Sequence, residues 1–148
     1  MNQQLFVLKS LEDWDQVVAV VLEQIKSPMI LALSGPLGAG KTTFVQYLAR
    51  ALGVKGEPRS PTFSLLRTHV LPEMSHGVQR VVHIDAYRLD KPSDLYALDL
   101  ENELAESGTI VALEWPEQVG EALVKYGVPI LKIEIVPNDK NTREVRLS

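Results

Sequence analysis

Residues 35–42 read Gly-Pro-Leu-Gly-Ala-Gly-Lys-Thr, a match to G-x-x-x-x-G-K-[ST]. That spacing is the phosphate-binding P-loop: backbone N–H groups converge on a triphosphate and one lysine reaches its outer phosphates. The expected nucleotide-binding segment is Gly35, Pro36, Leu37, Gly38, Ala39, Gly40, Lys41, Thr42 and Thr43. Lys41 is expected on the β- and γ-phosphates and the Thr42 hydroxyl on Mg²⁺. Thr43 can add a hydroxyl near the α-phosphate. Gly38 and Gly40 suit the loop because a Cβ there would collide with phosphate or force the turn open.

Hydrolysis needs more than a phosphate cradle: an acidic partner for Mg²⁺ and a means of orienting water. Two acids close apolar runs. Asp85 ends Val81-Val-His-Ile-Asp85, as a Walker B acid should, and Glu114 ends Ile110-Val-Ala-Leu-Glu114. Ligands of open α/β sheets gather beyond the carboxyl ends of the strands, so both acids are candidates for catalysis and for Mg²⁺. Thr62, in Ser60-Pro-Thr-Phe63, lies where a switch would meet the γ-phosphate or metal; read locally, the same residues are a plain turn entering a strand. No N-K-x-D guanine element is present, since Asn138-Asp-Lys-Asn141 has the wrong order. This favours adenine. The seven arginines show no finger by spacing. Arg88 is a candidate phosphate or partner contact, or equally a surface salt bridge.

The elements that must position these groups follow from hydrophobic period. Leu5–Leu8 and Met29–Leu33 read as strands. Ser10-Leu-Glu-Asp13 resembles a capping box before a helix carrying Trp14, Val17, Val18, Val21, Leu22 and Ile25 on one face. Lys41–Leu52 reads as the helix after the loop, with Gly53 as its stop. Lys55–Pro61 reads as loop, Phe63–Val70 and Arg80–Asp85 as an antiparallel hairpin, and Leu71–Gly77 as their connection. Pro92–Ser107 looks helical, Thr109–Leu113 is a buried strand, and Pro116–Val124 is a short helix. Ile130–Val136 and Glu144–Leu147 pair across a turn. The expectation is an α/β fold: one P-loop NTPase domain over residues 1–148, with a mixed, mostly parallel central sheet, flanking helices and an antiparallel hairpin.

Composition narrows the class. The chain is 45% hydrophobic and 23% charged, an ordinary globular balance. It has no cysteine, which excludes disulfides, thiolate metal sites and thiol catalysis. Its three histidines make no metal-ligand spacing, and a net charge of −4 argues against a generally basic nucleic-acid binder. No membrane span or secretory signal is read, so a cytoplasmic location is expected.

Four motifs then occur in order: Gly35–Thr43, Ser60–Phe63, His83-Ile-Asp-Ala-Tyr-Arg-Leu89 and Leu113-Glu-Trp-Pro-Glu117. Together they resemble the bacterial TsaE family, the small ATPase of tRNA threonylcarbamoyladenosine biosynthesis. The resemblance implies binding of ATP and Mg²⁺ and slow hydrolysis in support of adenosine modification beside the anticodon in tRNAs reading A-starting codons. Transfer of the threonylcarbamoyl group itself falls to TsaD in complex with TsaB. Those two are the implied partners, and tRNA is met only through them. By the same likeness Lys41 and Thr42 bind nucleotide and Mg²⁺, Thr62 belongs to a switch, Asp85 is the Walker B acid, and Glu114 is a second acid near metal or water. Their division between metal binding and base catalysis stays open. Trp115, beside Glu114, reads as a core aromatic that can also report nucleotide binding. Two other readings are a small-molecule kinase, which would transfer phosphate to a metabolite, and a nucleotide-sensing adaptor, which would not need turnover.

Overall fold

Strands buried on both faces read as continuous apolar runs, and three of them set the middle of this molecule. The computed structural model describes residues 3–55, 65–138 and 141–148. In chain order its main elements are β1 (Gln4–Leu8), α1 (Trp14–Gln24), β2 (Met29–Ser34), α2 (Lys41–Ala51), β3 (Leu66–Ser75), β4 (Val78–Asp85), α3 (Leu100–Ala105), β5 (Thr109–Glu114), β6 (Ile130–Pro137) and β7 (Arg143–Leu147). The strands form one sheet in the order β1-β7-β6-β2-β5-β4-β3. The inner four, β6, β2, β5 and β4, run parallel. The outer pairings, β3 with β4, β6 with β7 and β7 with β1, are antiparallel. The expected parallel centre and β3–β4 hairpin are both present.

Alternation along the strands divides the interior into two layers. One face carries Leu31, Leu33, Val81, Ile110, Ala112, Ile133 and Val145 against Trp14, Val17 and Val21 of α1 and Phe44, Val45 and Leu48 of α2. The other carries Ile30, Val82, Ile84, Val111 and Leu113 against Leu89, Leu95, Leu100, Leu104 and Leu123. Asp13 secures the approach to α1, its Oδ2 accepting from the N–H groups of Lys9 and Ser10 at 2.7 and 3.0 Å.

Three sequence expectations are corrected. β3 does not stop at Val70 but runs to Ser75, with a register irregularity between Val70 and Ser75. Pro72 is tolerated because β3 is an edge strand. The turn is only His76-Gly77, at φ 53° and 77°, the double positive φ of a tight hairpin. The Pro92–Ser107 helix is broken: Pro92–Leu98 is 3-10 helix, Asp99 turns left-handed at φ 56°, and α3 follows. Pro116–Gln118 and Gly120–Tyr126 are separate 3-10 segments rather than one helix. Thr62 and the start of the expected Phe63–Val70 strand lie outside the described residues. Among the described residues no helix is long and apolar enough to cross a membrane.

Candidate functional site

The glycine-rich segment joins the end of β2 to the start of α2, at the carboxyl edge of the parallel strands. Its shape requires glycine at two points. A Cβ on Gly35 would lie 2.6 Å from the Ile135 carbonyl oxygen, so the loop passes directly over β6. Gly40 stands at φ 118°, where a Cβ would meet the Arg143 Nη1 at 2.9 Å and Trp14 Cζ2 at 3.0 Å. Gly38 is also left-handed, at φ 77°, yet a Cβ there meets nothing within 4 Å; backbone conformation alone favours glycine at that position.

Lys41 is 4% exposed and folds back onto its own loop. Its Nζ donates to the carbonyls of Gly35 at 2.5 Å and Pro36 at 3.0 Å, and sits 3.9 Å above the Trp115 ring. Burial lowers its pKa from the ordinary lysine value; Glu114, Glu117 and Asp85 oppose that shift. A cation–π contact contributes about 0.5–2 kcal/mol, and a hydrogen bond to a charged group about 1.5–3 kcal/mol.

Asp85 and Glu114 are register partners on β4 and β5, so both project past the same sheet end toward α2. The two differ in their surroundings. Glu114 is 4% exposed. Its Oε2 accepts from the Thr42 hydroxyl at 3.1 Å and from His83 Nε2 at 2.6 Å; its Oε1 lies 3.3 Å from the same hydroxyl. Asp85 is half-buried and its Oδ1 accepts from the Tyr87 N–H at 3.1 Å. The hydroxyl of the glycine-loop threonine is thus bonded to Glu114. His83 has no exposed surface, and its Nδ1 has no partner among the described residues.

Trp115 closes the site from below. Its N–H donates to the Leu33 carbonyl at 3.1 Å, its φ is 61°, and its ring lies 5.0 Å from that of Tyr87. Left-handed backbone at a bulky residue costs about 1–3 kcal/mol and concentrates at functional sites. A cavity of about 250 Å³ opens above these groups, lined by Leu37, Gly38, Gly40, Lys41, Thr42, Thr43, Asp85, Glu114, Trp115 and Arg143. Of the segment expected to bind nucleotide, Gly35, Pro36 and Ala39 do not line it: Ala39 is packed in the core, while Gly35 and Pro36 supply the carbonyls that hold Lys41. Arg88 is exposed and lies outside the lining.

The donors fit a hard cation. Hydroxyl and carboxylate oxygens suit Mg²⁺, which keeps several waters and leans on substrate phosphates. Among the described residues no group of three or more His, Cys, Asp or Glu side chains is placed to hold a metal ion. Sequence spacing overlooked two members of the site, His83 and Arg143. A histidine within an apolar strand reads as core, and its partner Glu114 lies on a separate strand. The signal for Arg143 was alternation: it shares a face of β7 with Val145 and Leu147, placing a cation on the core side of that strand.

Comparison with known proteins bears on this arrangement. The sequence model of the family described as threonylcarbamoyl adenosine biosynthesis protein TsaE matches residues 8–145. The chain belongs to the TsaE family. A TsaE protein of Aquifex aeolicus is 36% identical over 143 residues, covering 95% of this chain and 92% of the relative. A TsaE protein of Mycobacterium leprae is 38% identical over 107 residues, or 68% of this chain. The matched stretch spans 64% of that mycobacterial TsaE and 61% of its Mycobacterium tuberculosis counterpart, under two thirds of either. A crystal structure of Bacillus subtilus YdiB superposes with a TM-score of 0.65 at 26% identity, covering 99% of this chain and 84% of that one.

Proposed function

We propose that this TsaE-family chain is a Mg²⁺-dependent ATPase that supports threonylcarbamoyladenosine formation in tRNA without transferring the threonylcarbamoyl group. The observation that carries the chemistry is the hydrogen-bonded run from half-buried Thr42 to buried Glu114 and His83, beside the glycine-rich loop and Lys41. The two strand-end carboxylates that line the cavity beside the loop favour hydrolysis over a kinase or a passive sensor.

In this reading Lys41 leaves the Gly35 and Pro36 carbonyls for the outer phosphates, while the amides of the loop and the start of α2 bind the remaining oxygens. Thr42 and Glu114 hold Mg²⁺ together, because their oxygens already meet. Bound Mg²⁺ would neutralise charge on the phosphates during transfer to water. His83 keeps Glu114 in one orientation by donating from Nε2, as an outer-shell partner does for a ligating carboxylate. Asp85 faces the same cavity from the neighbouring strand and is assigned to orienting the attacking water. Thr62, by its place in the sequence, is assigned to a switch that responds to the γ-phosphate.

Family membership supports the biological role, with TsaD and TsaB homologues as partners, a cytoplasmic setting, and tRNA met only through that complex. Phosphate release from ATP and Mg²⁺ should be slow with the chain alone and change when the TsaB–TsaD complex is added. Depletion followed by mass analysis of tRNA nucleosides should show loss of threonylcarbamoyladenosine. Normal levels after complete depletion would remove the role, and label passing from ATP to a metabolite would replace the ATPase with a kinase.

A further inference from the structure

The two faces of the sheet are covered unequally. On the face of α1 and α2, packing reaches every strand from β1 to β5, Phe6 and Leu8 included. The opposite layer draws on β2, β4 and β5, takes only Ile130 from β6, and takes nothing from β7 or β1. Among the described residues that face of β6, β7 and β1 therefore has no helix over it. Register pairing lays its side chains in rows: Leu5, Arg146 and Glu134 form one, Val7, Glu144 and Val136 the next. The water side of an antiparallel sheet is usually polar. Here Leu5 and Val7 stand on it, 58% and 51% exposed.

Along its inner margin this face meets the 3-10 segments Pro116–Gln118 and Gly120–Tyr126 in a groove of about 430 Å³. Ala32, Leu123 and Ile130 line it, and Val124, 70% exposed, stands on its bank. Strands lie about 4.8 Å apart, so β6 to β1 spans about 10 Å. That is the width of one α-helix, about 10–12 Å with its side chains. Charge on the two sides differs. On the sheet, Arg146 is held by Glu134 and Glu144, each at 3.2 Å. On the bank, exposed Glu117 and Glu121 make no ion pair among the described residues, and the one similarly free cation in the groove is Lys132. The surplus is acidic and lies along one side of an apolar strip, so it complements a helix with an apolar face and a basic flank.

We infer that the open face of β6, β7 and β1, with the Glu117–Glu121 bank, docks a basic amphipathic helix of a partner protein. The groove shares no lining residue with the cavity above Lys41, so the inference does not rest on the ATPase reading. The two are nevertheless adjacent. Ser34, in the groove wall, immediately precedes Gly35, and Glu117 lies two residues beyond Trp115. The charge of Glu117 is also one of those felt by Lys41. A docked helix thus touches the root of the glycine-rich loop and the turn that carries the ring under Lys41.

The test is an amide-resolved NMR titration of the full chain with a synthetic leucine–lysine peptide of about four helical turns, apolar on one face. The amides of Leu5, Val7, Glu121, Val124 and Lys132 should shift, and those of Ser34 and Glu117 with them. Val124→Lys, at an exposed position, should weaken binding about 10-fold, the loss of one buried valine. Glu117→Lys with Glu121→Lys should weaken it several-fold and flatten its salt dependence, and thermal melting checks that each variant is folded. The same peptide with glutamate for lysine should bind at least 10-fold more weakly. No shift in the parent, or shifts confined to other surfaces, overturns the docking site. Equal binding of the glutamate peptide overturns the basic character of the partner. Sedimentation of the parent as a dimer that Val124→Lys makes monomeric gives the face to a second copy of this chain and overturns the helix.

Discussion

His83 makes the sharpest case at the scale of single residues. Its Nε2–Glu114 bond of 2.6 Å is buried, so its loss leaves the carboxylate with Thr42 as its one hydrogen-bond partner among the described residues, in a poorly solvated place. His83→Leu should lower phosphate release by about 10–100-fold, the usual effect of removing an outer-shell partner. His83→Gln, which retains an N–H donor, should recover much of it. ADP affinity measured without Mg²⁺ should stay unchanged in both. Equal release from the leucine variant and the parent would show that Glu114 needs no such support. Gly35 makes a different kind of prediction. Gly35→Ala drives a methyl to 2.6 Å from the Ile135 carbonyl oxygen, and relief by backbone shift should lower unfolding free energy by about 1–3 kcal/mol in denaturant titration. It should also weaken triphosphate binding, because the same carbonyl pair that seats Lys41 is displaced. At this scale the glycine-rich loop and both strand-end acids were legible in the sequence. Arg143 and His83 were not, because each acts on a residue far away in the chain.

Among the elements, α2 couples the loop to the core. Phe44, Val45 and Leu48 are fully buried on its inner face, and the Phe44 ring lies 5.9 Å from that of Trp14 on α1. Phe44→Ala should cost about 3–5 kcal/mol of unfolding free energy. A loss under 1 kcal/mol would mean that α1 and α2 close over the gap. Periodicity recovered α1, α2 and the buried strands because in each one face or both faces are apolar. It failed where leucine spacing mimicked a helix: Leu95, Leu98, Leu100 and Leu104 all face inward, but Asp99 at φ 56° breaks the segment. It also stopped β3 too early, since Pro72 reads as a strand breaker unless the strand is known to lie at an edge. That knowledge belongs to the sheet order, which no local window contains.

For the molecule as a whole, acid should be destabilising through His69. Its Nε2 is buried without a partner among the described residues; burial, then His83 and Arg67, hold its pKa below the ordinary histidine value. The unfolded chain therefore takes up a proton near pH 6.5 that the folded chain refuses. Stability is lost as pH falls through 6.5 toward the lower folded value. Melting temperature should drop between pH 7 and 5, and less steeply in His69→Gln. Identical slopes would assign the acid response to other groups.

The outer pairing of β1 with β7 also sets an order of events during synthesis. The glycine-rich loop leaves the ribosome early, but the strand that carries Arg143 past its foot, and that holds β1 in register, is made long afterward. Parallel pairing among β2, β4, β5 and β6 can begin as those segments emerge, since chains fold from their N-terminal side as they are made. The pairing that brings residues 4–8 against 143–147 is the most distant in the sheet, and contacts of such separation form slowly. A nascent chain thus has its glycine-rich loop well before the wall beside that loop, and the finished pocket dates from the closing of β7 onto β1.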